Sequence, residues 1–127
     1  TTAVDVPPDV LDADVWASVA KVQQATRRGF SAALVELFVK DSTARLRRMR
    51  DAFGAGHAEQ IAKEAHALGG GCHQVGATGM ADLCGELEKL VRSTGLQAAA
   101  ELLDRLSSEF TAVQAALKHR IDALNKV

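Results

Sequence analysis

The stretch Glu64-Ala65-His66-Ala67-Leu68-Gly69-Gly70-Gly71-Cys72-His73 decides how the chain is read. Three consecutive glycines normally end a helix, yet here the apolar spacing runs straight through them. On a helix turning about 100° per residue, Ala58, Ile61, Ala65, Leu68, Cys72 and Val75 share one stripe, which predicts a helix from His57 to Val75. His66 then points about 140° away from Ile61, off the apolar stripe. Helical side chains lean toward the N-terminus, so residues at i+3 and i+4 normally lean over position i. For His66 those residues are Gly69 and Gly70, and the ring is left uncovered. Each helical glycine costs about 1 kcal/mol relative to alanine. Core packing alone does not call for that cost, whereas access by another macromolecule does.

The flanking segments repeat the helical pattern. Upstream, Phe30, Leu34, Leu37, Phe38, Leu46, Met49 and Phe53 predict a helix beginning at Phe30 or Ser31 and stopped by Gly54 and Gly56. Downstream, Gly76-Ala77-Thr78-Gly79 reads as a tight connection, with Thr78 as a candidate cap. Met80, Leu83, Cys84, Leu87, Leu90 and Val91 then form one face of a helix ending at Ser93-Thr94-Gly95. The last helix has the cleanest period: Ala99, Leu103, Leu106, Phe110, Val113, Leu117, Ile121 and Leu124 alternate spacings of three and four. Near the start, Asp12 is placed to cap a short helix carrying Val15, Trp16, Val19 and Val22, ending between Ala25 and Gly29. Residues 1–8 hold two prolines and no period, and read as a disordered linker. The expected fold is all-α: one domain over residues 9–127, an antiparallel up-down-up-down four-helix bundle with the short additional N-terminal helix across one end.

Composition narrows the function classes. The 127 residues suit a single core, and a net charge of −1 supplies no strong positive field for nucleic acid or an anionic membrane. Arg45, Arg47, Arg48 and Arg50, with Arg27 and Arg28, are offset by acids elsewhere and read as a solvated face or the rim of an acidic partner's footprint. No membrane span or signal peptide is evident, so the expected location is cytoplasmic, including the cytoplasmic part of a membrane-anchored sensor. Cys72 and Cys84 fall on apolar stripes and read as reduced core thiols. The histidines and cysteines lack the helical spacing of a metal site, and no metal is expected. The glycine run follows no strand and is closed by no Gly-Lys-Ser/Thr, which argues against a nucleotide loop.

Taken alone, a histidine on a polar helix face is an ordinary solvated residue. The bare glycines beside His66 favour a chemical role, since the unprotonated imidazole is a nucleophile that can accept a phosphoryl group without a metal of its own. The segment Ala65-His66-Ala67-Leu68-Gly69-Gly70-Gly71-Cys72-His73-Gln74-Val75-Gly76-Ala77, followed by Leu83-Cys84-Gly85-Glu86-Leu87-Glu88, resembles the histidine-containing phosphotransfer (HPt) family. The common form there is Ala-His-x-Leu-Lys-Gly-Ser, a few small residues, hydrophobic-Gly-Ala, and a downstream Leu-Cys-x-x-Leu-Glu. Phe38-Val39-Lys40-Asp41 is also similar, and the resemblance spans about Asp9 to Arg92.

The resemblance implies that His66 is the phosphoryl acceptor and that Gly70 admits a receiver domain. It implies a carrier in a multistep His-Asp relay of two-component signalling, with Mg²⁺ supplied by the partner receiver and no cofactor bound to this chain. Such modules often sit at the C-terminus of hybrid sensor histidine kinases. No autonomous catalysis is expected, and the isolated domain is expected to be monomeric. One departure stands out: Gly69 occupies the position of the family's lysine. Lys63, one turn before His66, is a candidate for the missing electrostatic support, as is a protonated His73. Gly69, Gly70, Gly71 and His73 form the candidate partner-binding surface. The missing lysine also keeps open a second reading, an HPt-fold module that docks a receiver or another regulator without phosphotransfer.

Overall fold

The computed structural model describes residues 10–25 and 29–125. The linker expected over residues 1–8, and Arg27 and Arg28, lie outside them. Every regular element among the described residues is helical: α1 (Ala13–Ala25), α2 (Phe30–Ala55), α3 (Ala58–Gln74), α4 (Thr78–Thr94) and α5 (Ala99–Asn125), with a short 3₁₀ turn, Leu96–Ala98, leading into α5. The helical reading of the glycine run holds, because α3 passes through Gly69, Gly70 and Gly71 without interruption.

The helix ends show how local chemistry sets the boundaries. Asp12 caps α1 as expected, its Oδ1 accepting the backbone N–H groups of Asp14 at 2.8 Å and Val15 at 3.3 Å. Gly54 lies inside α2, and the stop falls at Gly56, whose φ of 78° is left-handed. There the N–H of His57 bonds to the carbonyl of Ala52 at 2.8 Å and that of Gly56 to Phe53 at 3.2 Å, a paired closure that satisfies the last carbonyls. The same closure ends α3 at Gly76, where Ala77 donates to Cys72 at 2.8 Å and Gly76 to His73 at 3.2 Å. Thr78 makes no side-chain cap; Ala77 occupies the cap position of α4 and Thr78 is its first residue.

The four longer helices close into a ring, α2 against α3, α3 against α4, α4 against α5 and α5 back against α2. Along each seam rising numbers on one helix meet falling numbers on the next. On α2 and α3, Phe38 lies beside Gly71 while Arg45 and Arg48 reach Glu64. On α4 and α5, Gly79 lies beside Glu109 and Glu86 faces Arg105. The rings of Phe38 and Phe110 meet edge-on at 6.2 Å across α2 and α5, and Arg50 reaches Asp104 further along. The core so enclosed is built from Met49, Ile61, Leu68, Met80, Leu87, Leu103, Leu106, Val113 and Leu117, all fully buried.

Helix α1 hangs on the α3–α4 connection. The indole Nε1 of buried Trp16 donates to the carbonyl of Val75 at 2.7 Å, and the N–H of Asp12 donates to Gly76 at 2.6 Å. Gly76 is doubly required, by its φ of 75° and because a Cβ there would stand 3.1 Å from both Asp12 N and Val15 Cβ.

Buried polar groups are confined to a few places. The carboxylate of Glu64, 7% exposed, accepts from Arg45 at 2.9 Å, from Arg48 at 2.7 and 3.3 Å and from Gln60 at 3.0 Å, which staples α2 to α3. Burial would raise this carboxyl, but the hydrogen bonds from Arg48 and Arg45 outweigh it and hold it below the usual carboxylate range. Both arginines are partly exposed, so solvent and salt weaken the staple. Glu64→Gln is expected to cost about 2 kcal/mol of unfolding free energy at pH 7 in urea titrations. Because the folded-state value lies below the unfolded one, this contribution is complete above the unfolded value and is lost as pH falls through the folded one. The two proteins should therefore converge in acid; equal stability at pH 7 would remove the staple.

Candidate functional site

His66 sits near the middle of α3, on the side turned away from the core, with its side chain 78% exposed. Two turns of helix on either side hold the backbone beneath it rigid. The apolar stripe predicted for this helix is the buried one: Ile61, Ala65, Leu68, Cys72 and Val75 are covered and Ala58 is half-buried, while His66 is exposed.

The ring is oriented by α4. Its Nδ1 lies 3.2 Å from Oε1 of Glu88, across the α3–α4 seam. An ionised carboxylate can only accept, so Nδ1 carries the hydrogen and, in the neutral ring, Nε2 is left with its lone pair. Nε2 is the ring nitrogen that the Glu88 contact leaves unengaged. The second oxygen of Glu88 accepts from Nη1 of Arg92 at 2.8 Å, one turn along α4, and Nη2 of Arg92 reaches Glu59 on α3 at 3.0 Å. Four side chains are thus linked across two helices, from Glu59 through Arg92 and Glu88 to the imidazole.

Sequence reasoning assigned no role to Glu88, Arg92 or Glu59, although Glu88 closes the Leu-Cys-x-x-Leu-Glu stretch. A signal was present in the spacing. His66 and Glu88 each stand 11 residues from Ala77 in the tight connection, so a helical hairpin folded there brings them level.

The three glycines, expected to act together in exposing the ring, have separate surroundings. A Cβ on Gly70 would meet nothing within 4 Å, so this position is open to an approaching surface. A Cβ on Gly69 would stand 3.4 Å from Cys84 Cβ, which places Gly69 against α4. Gly71 faces the Phe38 ring of α2 at 3.8 Å. The expectation of a uniformly bare surface is corrected accordingly: Gly69 and Gly71 are turned to neighbouring helices, and both would accept a methyl group at ordinary contact distance.

Lys63 and His73 are exposed and share the outward side of α3 with His66, one turn before it and two turns after it. Among the described residues Lys63 has no ion pair. Beside the far end of α3 lies a shallow groove lined by Leu34, Leu37, Phe38, Asp41, Gln74 and Val75, and Leu37 is 68% exposed there. Cys72 and Cys84 are free and buried, and a hydrogen bond between them together with burial pushes the Cys72 thiol far above its ordinary value. The Cys72 thiol therefore stays protonated, and both side chains serve as packing. No three His, Cys, Asp or Glu side chains among the described residues are grouped so as to hold a metal ion. No helix among them is long and apolar enough to cross a membrane.

The class of the protein follows from a helical bundle that holds an exposed imidazole on the outer side of a long helix, with one ring nitrogen met by a carboxylate of the neighbouring helix. The family model described as Hpt domain matches residues 33–124. The chain belongs to the Hpt family, and with it to histidine phosphotransfer in two-component signalling. Among solved structures it is similar to histidine-containing phosphotransfer protein B (HptB) from Pseudomonas aeruginosa PAO1, at 32% identity and a TM-score of 0.81, over 92% of this chain and 98% of that one. No curated protein matches the chain.

The orientation of the ring is directly measurable. In long-range ¹H–¹⁵N correlation spectra at neutral pH, the neutral His66 ring is expected to be mainly protonated at Nδ1. Glu88→Ala should move the population toward the Nε2-protonated form, and an unchanged spectrum would show that the Glu88 contact does not orient the ring.

Proposed function

We propose that this domain carries a phosphoryl group on Nε2 of His66 between the aspartates of receiver domains in a multistep His-Asp phosphorelay. The observation that carries the reading is the Glu88 contact on Nδ1 combined with an uncovered Nε2. In the forward step the lone pair of Nε2 attacks the phosphorus of a receiver's aspartyl phosphate in line. The N–P bond forms as the O–P bond breaks, and the aspartate leaves as carboxylate. Positive charge grows on the ring as this happens, and the Glu88 carboxylate at Nδ1 stabilises it. The reverse step returns the group to another receiver. Mg²⁺ belongs to the receiver's acidic pocket, where it neutralises phosphoryl oxygens; this chain supplies nucleophile and docking surface.

The scaffold is read as an antiparallel up-down-up-down bundle with α1 across one end, which keeps the His66 side of α3 and α4 rigid. Gly70 admits the receiver's surface beside the ring. The exposed Leu37, with Leu34 and the groove toward Gln74, provides apolar area for the receiver to cover. Lys63 is the cation of this face that no carboxylate engages among the described residues, and we assign it the support otherwise given by the family's lysine; His73 lies at the rim. The domain works as a monomer in the cytoplasm, alone or as part of a sensor kinase.

Incubation with a phosphorylated receiver domain should transfer acid-labile label to the wild-type chain and none to His66→Gln. Stable docking without label in the wild type would favour the reading in which the domain only binds receivers. Leu37→Asp should leave the melting temperature within a degree or two and weaken receiver binding about tenfold in titration calorimetry. Unchanged affinity would place the footprint elsewhere.

A further inference from the structure

We infer that Arg92 is a positioning residue for phosphotransfer, acting on His66 through Glu88, with Glu59 as its anchor on the opposite helix. The inference rests on His66 being the phosphoryl acceptor, and it adds two residues that do not touch the ring. Glu88 has three rotatable bonds between its backbone and its carboxylate, and the contact with Nδ1 restrains only one of its oxygens. The other is bound by Nη1 of Arg92 at 2.8 Å. Four residues apart on α4, the pair is already within reach on helical geometry alone.

An i, i+4 ion pair on an exposed surface is a weak restraint by itself. Glu59 changes the arrangement. It binds Nη2 of the same guanidinium from α3 at 3.0 Å, so the planar fork is held at two nitrogens from two helices and cannot swing away from Glu88 without breaking a second bond. The guanidinium therefore bridges α3 and α4, and by holding Oε2 of Glu88 it sets the direction of Oε1, the oxygen that faces His66. A lysine has no fork and cannot hold both carboxylates in one plane.

The arrangement also balances charge. Arg92 draws on one Glu88 oxygen and leaves the other to orient Nδ1–H. Positioning and charge balance come from the same contact.

The test uses phosphoramidate, a small donor that needs no docking surface, so it reads the ring itself. In that reaction the donor's P–N bond breaks, ammonia leaves, and the new N–P bond forms at Nε2. Arg92→Gln should slow labelling of His66 roughly 2- to 5-fold and shift the ring toward the Nε2-protonated form in ¹H–¹⁵N spectra. Glu59→Gln should give a smaller change in the same direction, and Arg92→Lys should recover part of the loss. Arg105→Gln, which breaks the exposed pair with Glu86 on the far side of α4, serves as the control and should change neither reading. If Arg92→Gln leaves both the rate and the tautomer populations unaltered, Arg92 is a surface ion pair only. That outcome leaves the carrier role of His66 untouched, since the latter is tested separately by label from a phosphorylated receiver.

Discussion

The close approach of α3 and α4 is the constraint on which the site depends. These two helices share the largest interface in the bundle. Small residues occupy it: a side chain as short as alanine at Gly69 would already stand 3.4 Å from Cys84 Cβ, and Ala62, Ala65, Cys72, Ala81 and Cys84 are all buried. A bulkier residue at buried Cys84 would push the axes apart. Because the ring reaches only one carboxylate on the opposite helix, at 3.2 Å, a small displacement of α4 would undo the contact that sets which nitrogen is free.

The remaining elements preserve that seam. The α3–α4 connection closes with paired hydrogen bonds at Gly76, and α1 locks the turn from outside through Trp16 and Asp12. On the other flank, Glu64 ties α3 to α2, so α3 is held from both sides while its outer face stays bare. Stability and function are divided by angle around one helix.

Much of this was legible in the sequence because helical period is a strong signal over long segments. The apolar stripe through Gly69, Gly70 and Gly71 located α3, and with it the outward direction of His66. The period of α5 and the cap at Asp12 were equally direct. Features set by tertiary contact were less visible. Gly54 carries the same local signal as Gly56, but only Gly56 adopts the left-handed conformation that ends α2. The three glycines read as one bare patch, whereas the neighbouring helices give each a different surrounding. Glu88, Arg92 and Glu59 were missed because their roles depend on the register between α3 and α4, which periodicity within one helix does not contain; only symmetry about Ala77 carries it.

A ring standing 78% exposed on the outer side of a helix, touched by Glu88 at Nδ1, is not enclosed in a pocket. Among the described residues nothing is placed to exclude water from a group bonded to Nε2. While the domain is free, such a bond faces bulk solvent, and only a docked partner encloses it. On the proposed reading the lifetime of the signal is shared between two molecules: the carrier contributes a bond open to hydrolysis, and the waiting time before the next encounter decides how much of it arrives.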